Sequence, residues 1–355
     1  MSLLEKSKFP LLKLPWHVLL DCIKNLDFLE IIDFSLVSKR AKRIVKRITI
    51  SHPIEIKLSI FVDGFEIYLE SKHFPGHTWM VVFGNVEEID VIKRKGSMLQ
   101  QMLIGPQVEF YLIFPLDLKY FQFLIQHISD IFQVPIREVN IEKPTFKLVE
   151  LICSLQKSIP IFAIFGKSKI LNKTAKLIFK RMQITESCYL KSEFSNFFKF
   201  DQLINCRCLK LSNGSRVPLN AILSSKNEIL RIENSRLTHS DFNSILKHWK
   251  CGKMPNLNYL EIGMSQQHWL IDDYDDLNEQ MFANLDFEEH QPDPRRPTHL
   301  WFDDDIILEM PVDHAYDIIG DDGSIGTFRL TLYREGDDHF RGLTFEFHVW
   351  GGANK

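Results

Sequence analysis

No stretch of the 355 residues stays apolar for the roughly 20 positions that a membrane-spanning helix requires, so no such helix is expected. The opening MSLLEKSKFPLLKLPW is interrupted by Lys6, Lys8 and Lys13, so no secretory leader is expected either. Cysteine is sparse. The six thiols, at 22, 153, 188, 206, 208 and 251, make no C-x-x-C and no zinc-module spacing. They read as reduced thiols in a core, which points to the cytoplasm or nucleus. Outside a secretory route, the N-x-[ST] matches at Asn172 and Asn213 are chance.

Catalytic signatures are missing too. There is no G-x-S-x-G and no H-E-x-x-H. Gly166-Lys167-Ser168 resembles the end of a phosphate-binding loop, but the required upstream glycine falls on Ile161. No glycine-rich turn between strand and helix marks a nucleotide site. Asp303, Asp304 and Asp305 lack the alternating ligands and distal Glu of a calcium loop and read as a solvated acidic turn. The 13 histidines are dispersed, and His248 beside Trp249 reads as a helix-end residue. No named catalytic constellation survives, so a non-enzyme with no cofactor and no metal is expected.

Charge is unevenly spread beneath a net of -3. Residues 1–60 carry 11 Lys and Arg against 6 Asp and Glu, whereas residues 265–355 carry 6 against 21. The acidic end disfavours nucleic acid and favours basic partners.

What is present begins with LPWHVLLDCIKNLDFLEIIDFSLVSKRAKRIV, residues 14–45. Pro15 suits the first turn of a helix, and Val18, Leu19, Cys22, Ile23 and Leu26 follow at helical spacing. Asp27 and Glu30 form a capping box for a second helix burying Leu29, Ile32 and Leu36. Ser38 can cap a third, with Ala41, Ile44, Val45 and Ile48 inward and six Lys and Arg side chains between 39 and 47 outward. Three helices this short bury too little surface to stand alone, which suggests an interface. The outward Lys and Arg read as a solvated face, because no aromatics interleave with them.

This segment resembles an F-box. The Leu-Pro start, the Val-Leu and Ile that follow and the closing Val-Ser-Lys-Arg carry the resemblance; His17 and Ala41 stand where the family frequently has Glu and Trp. The resemblance implies docking to a Skp-family adaptor, and through it a cullin. Leu14, Pro15, Val18, Leu19, Ile23, Leu26, Ile32, Leu36 and Val37 would form or support that surface.

Beyond Pro53, IEIKLSIFV, FEIYLE and TWMVVF alternate and read as a small antiparallel sheet turning at Asp63-Gly64. From residue 115 helical and strand-like stretches alternate, including a helix across the Phe-rich segment before CRCLKLSN. The strands carry the apolar pairs Val139/Ile141, Phe162/Ile164, Cys188/Leu190, Leu209/Leu211, Leu230/Ile232 and Leu260/Ile262. Their second members are 23, 26, 21, 21 and 30 residues apart, around the leucine-rich-repeat period. A repeat is therefore favoured over a doubly wound α/β domain. Alternation places Asn140, Glu142, Ala163, Phe165, Tyr189, Lys191, Lys210, Ser212, Arg231, Glu233 and Glu261 on the other face. Of these, Phe165, Tyr189, Lys191, Lys210, Arg231, Glu233 and Glu261 are the candidates for holding a target protein.

Residues 272–296 read as a long acidic loop, partly disordered. From 315, AYDIIGDDGSIGTFRL and FEFHVW read as a three-stranded meander turning at Asp322-Gly323, with strands able to pair with the 54–83 sheet. DFNSILKHWKCGKMPNLNYLEI (241–262) and the closing meander also resemble the type 2 F-box-associated domain of the nematode F-box family, whose role is taken to be substrate capture.

The expected fold is α/β (α+β): a three-helix F-box at 9–50, a β-rich connecting region at 51–114, a leucine-rich-repeat-like body at 115–264, an acidic loop at 265–300 and a β-meander at 301–355. The expected function is substrate recognition for a cullin-type ubiquitin ligase. The expected partners are a Skp-family adaptor with its cullin and an unidentified target protein, with no nucleic acid and no membrane. The alternative is an F-box scaffold without a ligase role.

Overall fold

The computed structural model describes residues 11–48, 54–71, 77–84, 107–265, 281–289, 297–303, 306–311, 315–334 and 340–351. The architecture is mixed α/β, with N-terminal helices followed by a strand-rich body. The chain divides into two compact units, residues 1–142 with 151–159, and residues 143–150 with 160–355.

The first unit opens with a 3-10 turn (Leu11–Lys13) and three helices, α1 (Trp16–Lys24), α2 (Phe28–Val37) and α3 (Lys39–Ile48). Local chemistry sets the breaks. The Asp27 carboxylate accepts from Glu30 N at 2.8 Å, while Asp27 N donates to the Glu30 carboxylate at 3.0 Å, closing the capping box at the start of α2. The Ser38 hydroxyl accepts from Ala41 N at 3.1 Å and starts α3. Leu19, Ile23 and Ile44 form the small core between the helices, flanked by Leu14, Leu26, Phe34 and Ile48.

Strands β1 (Ile54–Ile60), β2 (Phe65–Ser71) and β3 (His77–Gly84) are antiparallel neighbours, turning between β1 and β2 at Asp63-Gly64. Two parallel partners lengthen this sheet: β4 (Gln107–Pro115) on β3 and β5 (Ile136–Ile141) on β1. Between them runs α4 (Leu118–Phe132), capped by Asp117, whose carboxylate accepts from Lys119 N and Tyr120 N. Phe28 of α2 meets Trp79 of β3 edge-on at 4.4 Å and Phe132 of α4 at 5.6 Å. Residues 54–84 and 107–115 lie in the same compact unit as the helices.

Helix α5 (Phe146–Leu155) is split by this division, with 146–150 in the second unit and 151–155 in the first. The second unit contains β6 (Ser158–Ile164) from Pro160 onward, α6 (Asn172–Arg181), β7 (Gln183–Leu190), β8 (Cys208–Leu211), α7 (Leu219–Leu223), β9 (Ile229–Ser235), α8 (His239–Lys250) and β10 (Tyr259–Ser265). Strands β6 to β10 lie side by side in chain order, and β7, β8, β9 and β10 pair in parallel. Each crossover therefore advances by one strand, with no reversal of order along this stretch. All six apolar pairs read from the sequence are buried.

The rest of this unit departs from expectation at three places. The Phe-rich segment 191–207 forms no helix. Phe194, Phe198 and Phe200 instead close rings with Phe179 of α6 at 5.1–5.9 Å, because an aromatic every two to four residues packs better folded over α6 than spread around a helix. Part of the acidic stretch is ordered: Met281, Phe282 and Leu285 are buried, and the Asn243 amide of α8 donates to Met281 O and Ala283 O. Residues 272–280 and 290–296 of that stretch lie outside the described residues, as do Asp304 and Asp305.

The meander forms from β14 (Ala315–Ile319), β15 (Ile325–Arg334) and β16 (Phe340–Trp350), with Gly323 at φ +81° in the turn. The short strands preceding it are β11 (Glu288–Glu289), on β14, and the hairpin of β12 (His299–Asp303) with β13 (Ile306–Glu309). Contrary to the expected pairing with residues 54–83, among the described residues the meander's partner is β10, against which β16 lies antiparallel. Its apolar face decides the partner, since Phe345 packs on Phe242 at 4.8 Å and Phe347 on Trp249 at 4.9 Å, both rings belonging to α8.

Candidate adaptor-binding and target-binding surfaces

Two surfaces carry the residues singled out from the sequence. On the first, Leu19, Ile23 and Ile32 are buried in the helical core, so they support a docking face without forming it. Leu14, Leu26 and Leu36 are half-buried, while Pro15, Val18 and Val37 are exposed, Val37 at 73%. Trp16 is also exposed, at 48%, and periodicity passed over it because it immediately follows the Leu-Pro start. An exposed indole on a short helix is apolar area available for burial by another chain.

The basic side of α3 is divided. Lys39, Arg40, Arg43 and Arg47 are exposed, but the ammonium groups of Lys42 and Lys46 lie 2.8 and 2.5 Å from the Asp130 carboxylate of α4. Hydrogen bonds from Lys42 and then Lys46 hold the Asp130 carboxyl below its ordinary range. The Gln133 amide donates to Lys46 O at 2.8 Å. Below them the Ser35 hydroxyl donates to Ile32 O, so the 2.6 Å contact between Ser35 Oγ and His127 Nε2 places the imidazole proton on Nε2.

The second surface is the sheet face of the 160–355 unit opposite the buried pairs. Register aligns Tyr189, Lys210, Arg231, Glu261, Glu346 and Arg329 in one row across six neighbouring strands. Arg231 reaches Glu261 at 2.5 and 2.8 Å, Tyr259 donates to the same carboxylate at 2.8 Å, and Arg329 donates to Glu346 at 2.7 Å. Two carboxylates standing opposite each other are unfavourable, and an arginine on each outer side offsets them. Burial raises Glu346, but the His348 ring 3.8 Å away and the hydrogen bond from Arg329 outweigh it and hold the carboxyl below its ordinary range. Burial, then the Glu261 charge, pushes the Tyr259 hydroxyl well above its ordinary range.

A cavity of about 300 Å³ opens over this row, lined by Arg231, Glu261, Arg329, Glu346, His348 and, from the β12–β13 hairpin, Leu308. Of the target-binding candidates, Tyr189, Lys210, Arg231 and Glu261 share the row, and Glu233 pairs with Lys210 at 2.9 Å. Phe165 and Lys191 lie away from it, just past the ends of β6 and β7. Sequence reasoning missed Glu346 and Arg329; alternation in FRLTLY and FEFHVW marks both as facing away from the core. Among the described residues no group of His, Cys, Asp and Glu is arranged to hold a metal ion. No helix among them is long and apolar enough to cross a membrane, and no disulfide joins the six cysteines.

Two known families match segments of the chain. The model of the F-box domain matches residues 11–52, which span the 3-10 turn and α1 to α3. The model of the family described as F-box associated matches residues 199–262, from within the Phe-rich segment to Ile262 in β10. The chain carries an F-box and an F-box-associated domain. The second match contains four of the seven target-binding candidates: Lys210, Arg231, Glu233 and Glu261. F-box domains bind Skp-family adaptors and thereby cullin complexes, and both families are typical of non-catalytic adaptor or receptor proteins. No curated protein and no solved structure matches the chain.

Proposed function

We propose that this F-box protein is a substrate-recognition subunit of a cullin-type ubiquitin ligase. Its helices dock a Skp-family adaptor, and its second unit holds a target protein near a separately recruited transfer enzyme. The chain contributes effective concentration rather than bond-making chemistry. The observation carrying this reading is the exposed apolar set Trp16, Val18 and Val37 on helices inside the F-box match. We assign Leu14, Pro15, Val18, Leu26, Leu36 and Val37 to adaptor contact, with Leu19, Ile23 and Ile32 as their buried support. The consecutive strands β6 to β10 support a leucine-rich-repeat-like body. Their solvent-side residues, chiefly Tyr189, Lys210, Arg231 and Glu261, face the target. Three buried thiols and no disulfide support residence in the cytoplasm or nucleus.

Co-purification with Skp-family adaptors tests the docking step. The wild type is expected to co-elute with an adaptor, and Val18→Asp/Val37→Asp, both at exposed positions, to lose it without a change in melting temperature. A wild type that binds no adaptor paralogue at micromolar concentration removes the ligase reading. Reconstituted ubiquitin transfer to a co-bound protein then separates a ligase receptor from a scaffold.

A further inference from the structure

We propose that the loops following β6, β7 and β8 form a docking surface for an acidic protein segment bearing a large apolar side chain. The proposal rests on the receptor reading above and names the kind of target segment recognised.

These loops lie at one end of neighbouring strands and are stitched together. Lys191 N donates to Ile164 O at 2.8 Å, Ile170 N to Glu193 O at 2.7 Å, and Ser195 N to Ile170 O at 2.9 Å. The Ser192 hydroxyl donates to Gly166 O at 2.5 Å. Arg216, from the loop after β8, donates to Ser195 O at 3.0 Å and to the Asn196 side chain at 2.9 Å. The surface is therefore held together before any partner arrives, which lowers the ordering cost of binding.

Three large apolar side chains stand exposed on it: Phe165 at 38%, Leu171 at 65% and Phe197 at 83%. Phe197 cannot fold inward. It sits in a turn closed by Phe198 N donating to Ser195 O at 3.0 Å, and Phe194 and Phe198 on either side are buried in the ring cluster with Phe179. An aromatic held out by a rigid turn is the kind of anchor that dominates interface energetics.

The rim is basic. The three loops, residues 165–171, 191–207 and 212–218, carry 6 Lys and Arg against 2 Asp and Glu, in a chain of net charge -3. Lys167, Lys169, Lys191 and Lys199 are exposed around the apolar set. The Lys169–Glu193 pair, 3.8 Å apart and open to water, neutralises little. Charge complementarity thus selects an acidic partner. A protein segment fits better than a nucleic acid, because residues 265–355 of the same unit carry 21 acidic against 6 basic side chains and repel an extended polyanion.

The test is selection of a random peptide display library, about twelve residues long, on the full chain, compared with Phe197→Ser and Lys191→Glu/Lys199→Glu. All three positions are exposed, and unchanged melting temperatures check the fold. The expected outcome is enrichment of Asp- and Glu-rich peptides containing Phe, Leu or Trp on the wild type. The best of them, synthesised, should bind each variant about tenfold or more weakly and loosen with added salt. No acidic enrichment, or equal binding by the variants, overturns the proposal. So does tighter binding of a twelve-nucleotide oligothymidylate or of phosphatidylserine vesicles. Adaptor co-purification reads the receptor function separately. Adaptor binding without peptide enrichment removes this surface alone; peptide binding without an adaptor leaves the surface and removes the receptor reading.

Discussion

Ser35 and His127, 92 residues apart in sequence, are joined by a 2.6 Å hydrogen bond between α2 and α4. With the Asp130 and Gln133 contacts to α3, it makes the F-box helices part of the first unit rather than an appendage to it.

That bond predicts a pH dependence. Burial, and then the Lys42 charge, lowers His127 from the ordinary imidazole value of 6.5. Below 6.5 the unfolded chain takes up a proton that the folded one resists, so stability is complete above that pH and falls as pH drops towards the folded value. Melting temperature is expected to decline from pH 7 to 5. His127→Gln, which keeps a donor and loses the titration, should flatten that decline; parallel curves for the two proteins would refute the assignment.

Phe28 joins α2 to the sheet through Trp79 and to α4 through Phe132. Phe28→Ala is expected to cost about 3–5 kcal/mol in denaturant unfolding. Adaptor binding should weaken only where the folded population falls, because Phe28 is buried.

The Glu261 side chain is 17% exposed, and one of its oxygens accepts from both Arg231 and Tyr259. Arg231→Ala strands a largely buried carboxylate and is expected to destabilise by about 1–3 kcal/mol. Adding Glu261→Gln should recover part of that loss. Strict additivity of the two substitutions in a double-mutant cycle would mean that the pair is not coupled.

A Cβ on Gly326 would stand 2.4 Å from the Phe347 ring and 2.9 Å from Trp249. Gly326→Ala must therefore displace the contact that holds the meander against α8. A loss of about 1–3 kcal/mol is expected by chemical denaturation.

Features fixed within a few residues were legible in the sequence. The Asp27/Glu30 box, the Ser38 cap and the Asp322-Gly323 turn each depend on side chains that meet their own backbone. The buried pairs were legible because strand alternation has a period of two. Partners far apart in sequence were not. Nothing in the text around Lys42 names Asp130, and nothing in FEFHVW says whether its neighbour is β10 or the 54–83 sheet, since the deciding rings lie on α8. The charged row was half legible for the same reason. Tyr189, Lys210, Arg231 and Glu261 come from one repeating pattern, while Glu346 and Arg329 join it only through the meander's pairing. The Phe-rich segment misled because its spacing satisfies a helix as well as an aromatic cluster.

The antiparallel seating of β16 on β10 ends the run of parallel strands β7 to β10, and β15, β14 and β11 continue from it in antiparallel pairing. A strand left bare there would offer a row of backbone donors and acceptors to another molecule. The meander therefore acts as a terminator: it fixes the length of the array and shields the last strand from joining a second copy. A chain cut before the meander is expected to associate through β10 and precipitate, however well its first unit folds.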